Sequence, residues 1–131
     1  MSAYLSDEWH AMTLAFAEEL PIRDGVSIRM AFVVSGAPGG DRKYYQIVEN
    51  GKLMDQRNGV IPDAEVTMTV TWPDSCAMQT GELDPTVAMM QGRAKIAGNM
   101  GRVMAVLPLS TSTEYASVQQ KVAAQTEFEP S

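Results

Sequence analysis

Cysteine is nearly missing from this chain. Cys76 is the only one in 131 residues, so no disulfide can close within it, and this usage fits a reducing, cytoplasmic setting. Histidine is equally scarce. With His10 alone, a multi-histidine metal site is excluded, and a histidine-centred triad would hang on one residue. No metal site or cofactor is expected. No apolar run approaches the roughly 18 residues of a membrane span. The opening MSAYLSDEWHAM and the closing Glu-Phe-Glu-Pro-Ser lead us to expect neither a secretory signal nor a peroxisomal address. Positive charge is short as well. Ten Lys and Arg against 16 Asp and Glu leave a net charge of −6, which argues against nucleic acid or an anionic bilayer as an electrostatically steered partner. A cytoplasmic, bacterial, single-domain protein is the expectation.

What is abundant is methionine, ten in all. Apart from Met1, the methionines Met12, Met30, Met54, Met68, Met78, Met89, Met90, Met100 and Met104 fall on segments expected to face the interior. An unbranched thioether adapts to irregular apolar shapes and suits a surface that accepts varied ligands. Simple core filling in a chain with only three phenylalanines explains them equally well.

Patterning yields an α+β order. Ser6 caps a helix with Trp9, Met12, Phe16 and Leu20 on one stripe, stopped by Pro21. Val26–Ser35 alternates as a half-buried strand. Asn50-Gly51 predicts a hairpin joining Lys43–Glu49 to Lys52–Gln56. Glu65–Thr71 alternates again, and Trp72-Pro73-Asp74 opens a helix that Gly81 ends. Asp84-Pro85 starts a short helix, Arg93–Ala97 forms a strand, and Asn99 caps a helix carrying Met100, Val103, Met104 and Leu107. A last helix runs from about Thr113 to Gln125, with Tyr115, Val118 and Val122 on one side. Mixed order with a hairpin indicates a layered α+β domain rather than a doubly wound sheet.

Several chemical readings fail on inspection. Gly36–Lys43 looks like a phosphate loop but lacks Gly-Lys-Ser/Thr before a helix, so a hairpin loop is expected. Cys76 reads as a small packed residue and His10, beside Trp9, as a surface one. Asp84 is a cap rather than half of an acid–base pair with Glu82, and Glu18-Glu19 and Glu127-x-Glu129 read as solvated charge.

The run Gly81-x-Leu83-Asp84-Pro85-x-x-Ala88, then Met90-Gln91-Gly92-x-x-Lys95-Ile96-x-Gly98-Asn99-Met100, resembles the signature of the sterol carrier protein type-2 family. A looser likeness extends from roughly residue 6 to 109, and Ala94 and Ala97 depart from the usual pattern. The resemblance implies a five-stranded mixed sheet with helices over one face, enclosing an apolar tunnel. It implies a non-enzymatic carrier of a sterol, fatty acid or fatty acyl-CoA, as a monomer or homodimer without stable membrane insertion. The implied ligand-binding set is Met12, Phe16, Met30, Phe32, Met68, Met78, Met89, Met100 and Met104. Arg93 and Lys95 are candidates for a polar contact at the tunnel mouth, or else the charged outer face of an edge strand. The segment 110–131 has no clear counterpart in the signature and is expected to be an easily opened cover beside that mouth. The rival reading is a dimerisation or regulatory module with a filled core, associated with a lipid- or steroid-metabolising enzyme.

Overall fold

Alternating residues assemble the sheet, and glycines and caps divide it from the helices. The computed structural model describes residues 1–128. The side chains of Leu107 and Ser110, and with Leu107 the end of the expected α4 stripe, lie outside the described residues, as does Glu129. In chain order the elements are β1 (Ser2–Ala3), α1 (Asp7–Ala17), β2 (Ile28–Ser35), β3 (Arg42–Glu49), β4 (Lys52–Asn58) and β5 (Val66–Thr71). They continue with α2 (Trp72–Thr80), α3 (Pro85–Met90), β6 (Ala94–Gly98), α4 (Met100–Ser110), α5 (Thr113–Ala124) and β7 (Thr126–Glu127).

The main sheet has five strands in the order β4-β3-β2-β5-β6. Only β2 and β5 run parallel; the other neighbours are antiparallel. The mixed sheet expected from the sequence is therefore present. Alternation puts Ile28, Phe32, Val34, Val66, Met68, Val70 and Ala94 on one buried face. Helix α1 lies along β4, α2 and α4 pack on β2 and β5, and α3 sits against β6.

Local chemistry explains the boundaries. Ser6 Oγ accepts from the Trp9 amide at 3.1 Å, and Asn99 Oδ1 accepts from the Arg102 amide at 3.3 Å. Asn50 and Gly51 take φ of 49° and 81°, as the hairpin turn requires. Gly36 N–H donates to Asp41 Oδ1 at 3.1 Å, so Asp41 closes the glycine-rich loop on itself. Asp84 Oδ1 accepts from Thr86 and Val87 amides at 2.7 and 3.4 Å. Asp84→Ala is expected to lower stability by about 1 kcal/mol through this cap. Urea unfolding would measure the loss, and unchanged stability would remove the capping role.

The end of the chain corrects an expectation. Rather than a loose cover, its described part, to residue 128, is stitched into the fold. Strand β7 pairs in parallel with β1, and Val118 and Val122 of α5 are buried. Trp9 Nε1 donates to Thr126 Oγ1 at 2.9 Å, joining the first helix to the last strand. Helix α1 also ends at Ala17, before Pro21, because Glu19 and Leu20 turn back on Phe16 and Ala17 carbonyls through three-residue steps.

Candidate functional site: the covered face of the sheet

Strand register sorts the covered face into rows. One row runs Asn58, Tyr44, Phe32, Met68 and Ile96 across all five strands. The next runs Gln56, Gln46, Met30, Val66 and Gly98. Each row is polar at the β4 end and apolar toward β6. The apolar part of the covered face therefore lies over β2, β5 and β6, beneath α2 and α4.

Of the expected ligand set, Phe32 and Met68 are buried, and Met12, Phe16, Met30, Met78 and Met89 pack half-buried against the same core. The other two do not join them. Met100 and Met104 are 48% and 63% exposed, and so are Met54 at 57% and Met90 at 82%. The sequence pattern places all four inside; the structure does not. Helix α4 keeps Val103 of the expected stripe in the core and adds Leu109, a rotation that carries Met100 and Met104 round to solvent.

The region near α1 and α2 is filled by rings. Phe32 and Tyr44 stack at 4.5 Å, while Tyr4 meets Trp9 edge-on at 4.8 Å and Trp72 at 5.3 Å. Tyr4 and Ser75 hydroxyls share a 2.7 Å hydrogen bond. Burial pushes the hydroxyls of Tyr4, Tyr44 and Tyr115 above their ordinary pKa, so all three stay neutral at physiological pH. A cavity of about 80 Å³ lies beside this cluster, between Tyr4, Pro38, Arg42, Trp72 and Glu127. Lipid-sized sites need roughly 300–1,000 Å³. A second, open groove of about 320 Å³ is lined by Glu19, Thr113, Glu114 and Ser117, all polar. Neither is the apolar tunnel that the resemblance implied.

Charged candidates are placed as follows. Arg93 donates to Asp74 Oδ1 at 2.6 Å and to Gln91 Oε1 at 3.3 Å. The guanidinium holds the Asp74 carboxyl below its ordinary pKa. Lys95 is exposed opposite Thr69, on the face away from the helices. Burial pushes the Cys76 thiol up to about 11, which suits packing and not nucleophilic attack. Among the described residues no three His, Cys, Asp or Glu gather to hold a metal ion. No helix there is long and apolar enough to cross a membrane.

His10 overturns its expected surface position. It is 3% exposed, held by Gln56 at Nδ1 (2.9 Å) and by Asn58 at Nε2 (3.0 Å). Sequence reasoning missed Gln46, Gln56 and Asn58, although Gln46 stands in phase with buried Tyr44 and Val48 on its strand.

Comparison with known proteins adds a family. The profile described as the SCP-2 sterol transfer family matches residues 13–110. Sterol carrier protein 2 of Rattus norvegicus is 37% identical over 93 residues, covering 67% of this chain and 16% of that protein. Hydroxysteroid dehydrogenase-like protein 2 of Xenopus tropicalis is 36% identical over 70 residues, covering 53% of this chain and 16% of that one. The chain thus spans about one sixth of the length of these relatives. In fold it is similar to a conserved hypothetical protein of Thermus thermophilus, possibly a sterol carrier protein. That likeness has a TM-score of 0.68 at 16% identity and covers 99% of this chain and 96% of the other.

Proposed function

Because the chain belongs to the SCP-2 sterol transfer family, we propose that it binds a hydrophobic lipid against the apolar half of the covered sheet face and carries it without covalent chemistry. The observation that carries this reading is the set of adaptable side chains gathered there. Met30, Met68, Met78, Met89 and Ile96 share one core, and methionine walls can move aside for an acyl chain or a sterol. Burying about 400 Å² of apolar ligand contributes on the order of 10 kcal/mol gross, and lost ligand freedom leaves micromolar to tens-of-nanomolar affinity. Sterols, fatty acids and fatty acyl-CoAs are the ligand classes to try, and the single cysteine supports a cytoplasmic setting.

Titration with a fluorescent fatty acid and a fluorescent sterol tests the proposal, with two variants to locate the site. Met68→Glu is expected to weaken binding by tenfold or more, since a carboxyl group in an apolar site must either give up its charge at a cost of several kcal/mol or draw in water. Met104→Glu, on an exposed position, should leave affinity within about twofold. Absence of saturable binding by the unaltered protein defeats carriage. Loss through Met104 but not Met68 would move the site to the outer side of α4.

A second reading is favoured by the ring-filled interior. In it, the domain docks to or regulates a lipid- or steroid-metabolising enzyme and has no cargo of its own. Native mass spectrometry of the purified protein separates the two, since co-purified lipid supports carriage and a ligand-free mass supports docking.

A further inference from the structure

At the polar end of the covered face, hydrogen-bond directions are fixed by one another. Gln46 Nε2 donates to Gln56 Oε1 at 2.7 Å, which leaves the Gln56 amide to donate to His10 Nδ1 at 2.9 Å. His10 Nδ1 is then a lone pair, and the ring proton sits on Nε2, donating to Asn58 Oδ1 at 3.0 Å. Asn58 Nδ2 in turn donates to the Leu5 carbonyl at 2.9 Å and to Asp7 Oδ1 at 3.0 Å. Because the Leu5 carbonyl and the Asp7 carboxylate can only accept, Asn58 Oδ1 faces the ring, and around a neutral His10 the bonds run in this one direction. They span β3, β4, α1 and the segment before α1.

A second proton on His10 breaks this order. The new Nδ1–H would meet the Gln56 N–H₂ group, donor against donor. Relieving the conflict by turning the Gln56 amide over requires the Gln46 amide to turn with it, so both β3–β4 side chains must reorganise. The groups facing the ring are Asp7 on its own helix, Arg42 and Tyr44 from β3, and Gln56 and Asn58 from β4. Asp7 favours the cation, while Arg42 and burial oppose it.

We propose that His10 is a proton-operated latch: in mild acid its protonation breaks the bond to Gln56 and loosens α1 from β4. Helix α1 carries Met12 and Phe16 onto the core, so loosening it opens the wall of the interior. The latch stands on this geometry alone; its effect on cargo rests on the lipid-carrier reading above. Desolvation holds the His10 pKa below its ordinary value. Below about pH 6.5 the unfolded chain then binds the proton more readily than the native one. Stability from this group is complete above that pH and is lost as pH falls through the lowered native pKa.

Hydrogen exchange of the ligand-free full chain at pH 7 and pH 5, corrected for intrinsic chemistry, reads the latch directly. Amides of α1 are expected to exchange about tenfold faster at pH 5, the effect of one lost hydrogen bond, while β2 and β5 stay protected. Gln56→Glu gives His10 Nδ1–H an acceptor and still accepts from Gln46. In that variant the acid acceleration should disappear, and the His10 resonances should titrate above the wild-type value. Acceleration shared equally by β2 and β5, or none in α1, overturns the latch in the wild type. A folded Gln56→Glu protein that keeps the wild-type acceleration overturns it too. The same proteins are then loaded with a pyrene-labelled fatty acid, whose release should quicken at pH 5 only in the wild type. Unchanged release alongside accelerated α1 exchange overturns the effect on cargo. Failure to bind the probe at pH 7 defeats the carrier reading, and the exchange result alone then decides the latch.

Discussion

Gly98→Ala is expected to lower the unfolding free energy by about 3 kcal/mol, combining a strained φ with overpacking. Gly98 has φ of 124°, a region that residues with a side chain rarely adopt. A methyl group there would fall on the Glu65 carbonyl oxygen and lie 3.0 Å from Val66 Cα. Glu65 has no room to withdraw. Its amide donates to the Arg29 carbonyl at 2.8 Å, its carbonyl accepts from Asn99 N–H at 2.9 Å, and its carboxylate pairs with Arg102 at 2.8 Å. The glycine of the signature is thus the point where β6 meets the start of β5. Urea unfolding should show a lower midpoint with an unchanged slope. Gly92→Ala serves as the comparison: its φ of 72° is also positive, but a methyl group there meets open space. It should cost only about 1–2 kcal/mol. Equal losses at the two positions would mean that φ alone matters and that the contact with Glu65 does not.

Deleting the residues after Leu109 should cost more, on the order of 5 kcal/mol from two buried valines and one buried hydrogen bond. Val118 and Val122 leave the core, and Trp9 Nε1 loses its Thr126 acceptor while remaining in an interior position. Strand β1 also loses the Gln125 and Glu127 carbonyls that receive Ser2 and Tyr4 amides at 2.9 and 3.0 Å. Domains of this size are stable by about 5–15 kcal/mol, so the truncated chain should be partly or largely unfolded at room temperature. Circular dichroism and urea titration would show it. A truncated protein within about 1 kcal/mol of full length would instead restore the end of the chain as a detachable cover.

Features written within a few neighbouring residues were readable in advance. Ser6, Asp84 and Asn99 cap the helices expected of them, and Asn50-Gly51 makes its turn. At the three caps the donor and acceptor lie within three residues of one another, and the turn follows from the positive φ that Asn-Gly tolerates. The alternation in β2 and β5 was equally plain, because period two decides which side chains share a face before any neighbour arrives.

Position relative to distant elements was not readable. Spacing alone puts Met100, Val103 and Met104 on one inward stripe of α4, yet of these only Val103 faces the core, joined by Leu109. An apolar helix with few charges permits either rotation, and contact with β2, β5 and α5 decides between them. The partners of His10 are Gln56 and Asn58, 46 and 48 residues away, and no local pattern announces them. In the same way, β1 and β7 are two-residue strands that exist only because the segment before α1 meets the one after α5. The sequence by itself determined the order of the helices and of the five main-sheet strands, their caps and the alternating face of the sheet, since these follow from short-range sterics and hydrogen bonding. Tertiary structure decided which methionines line the interior, whether His10 is buried and how the last helix is held. Those outcomes depend on side chains that only long-range packing brings together.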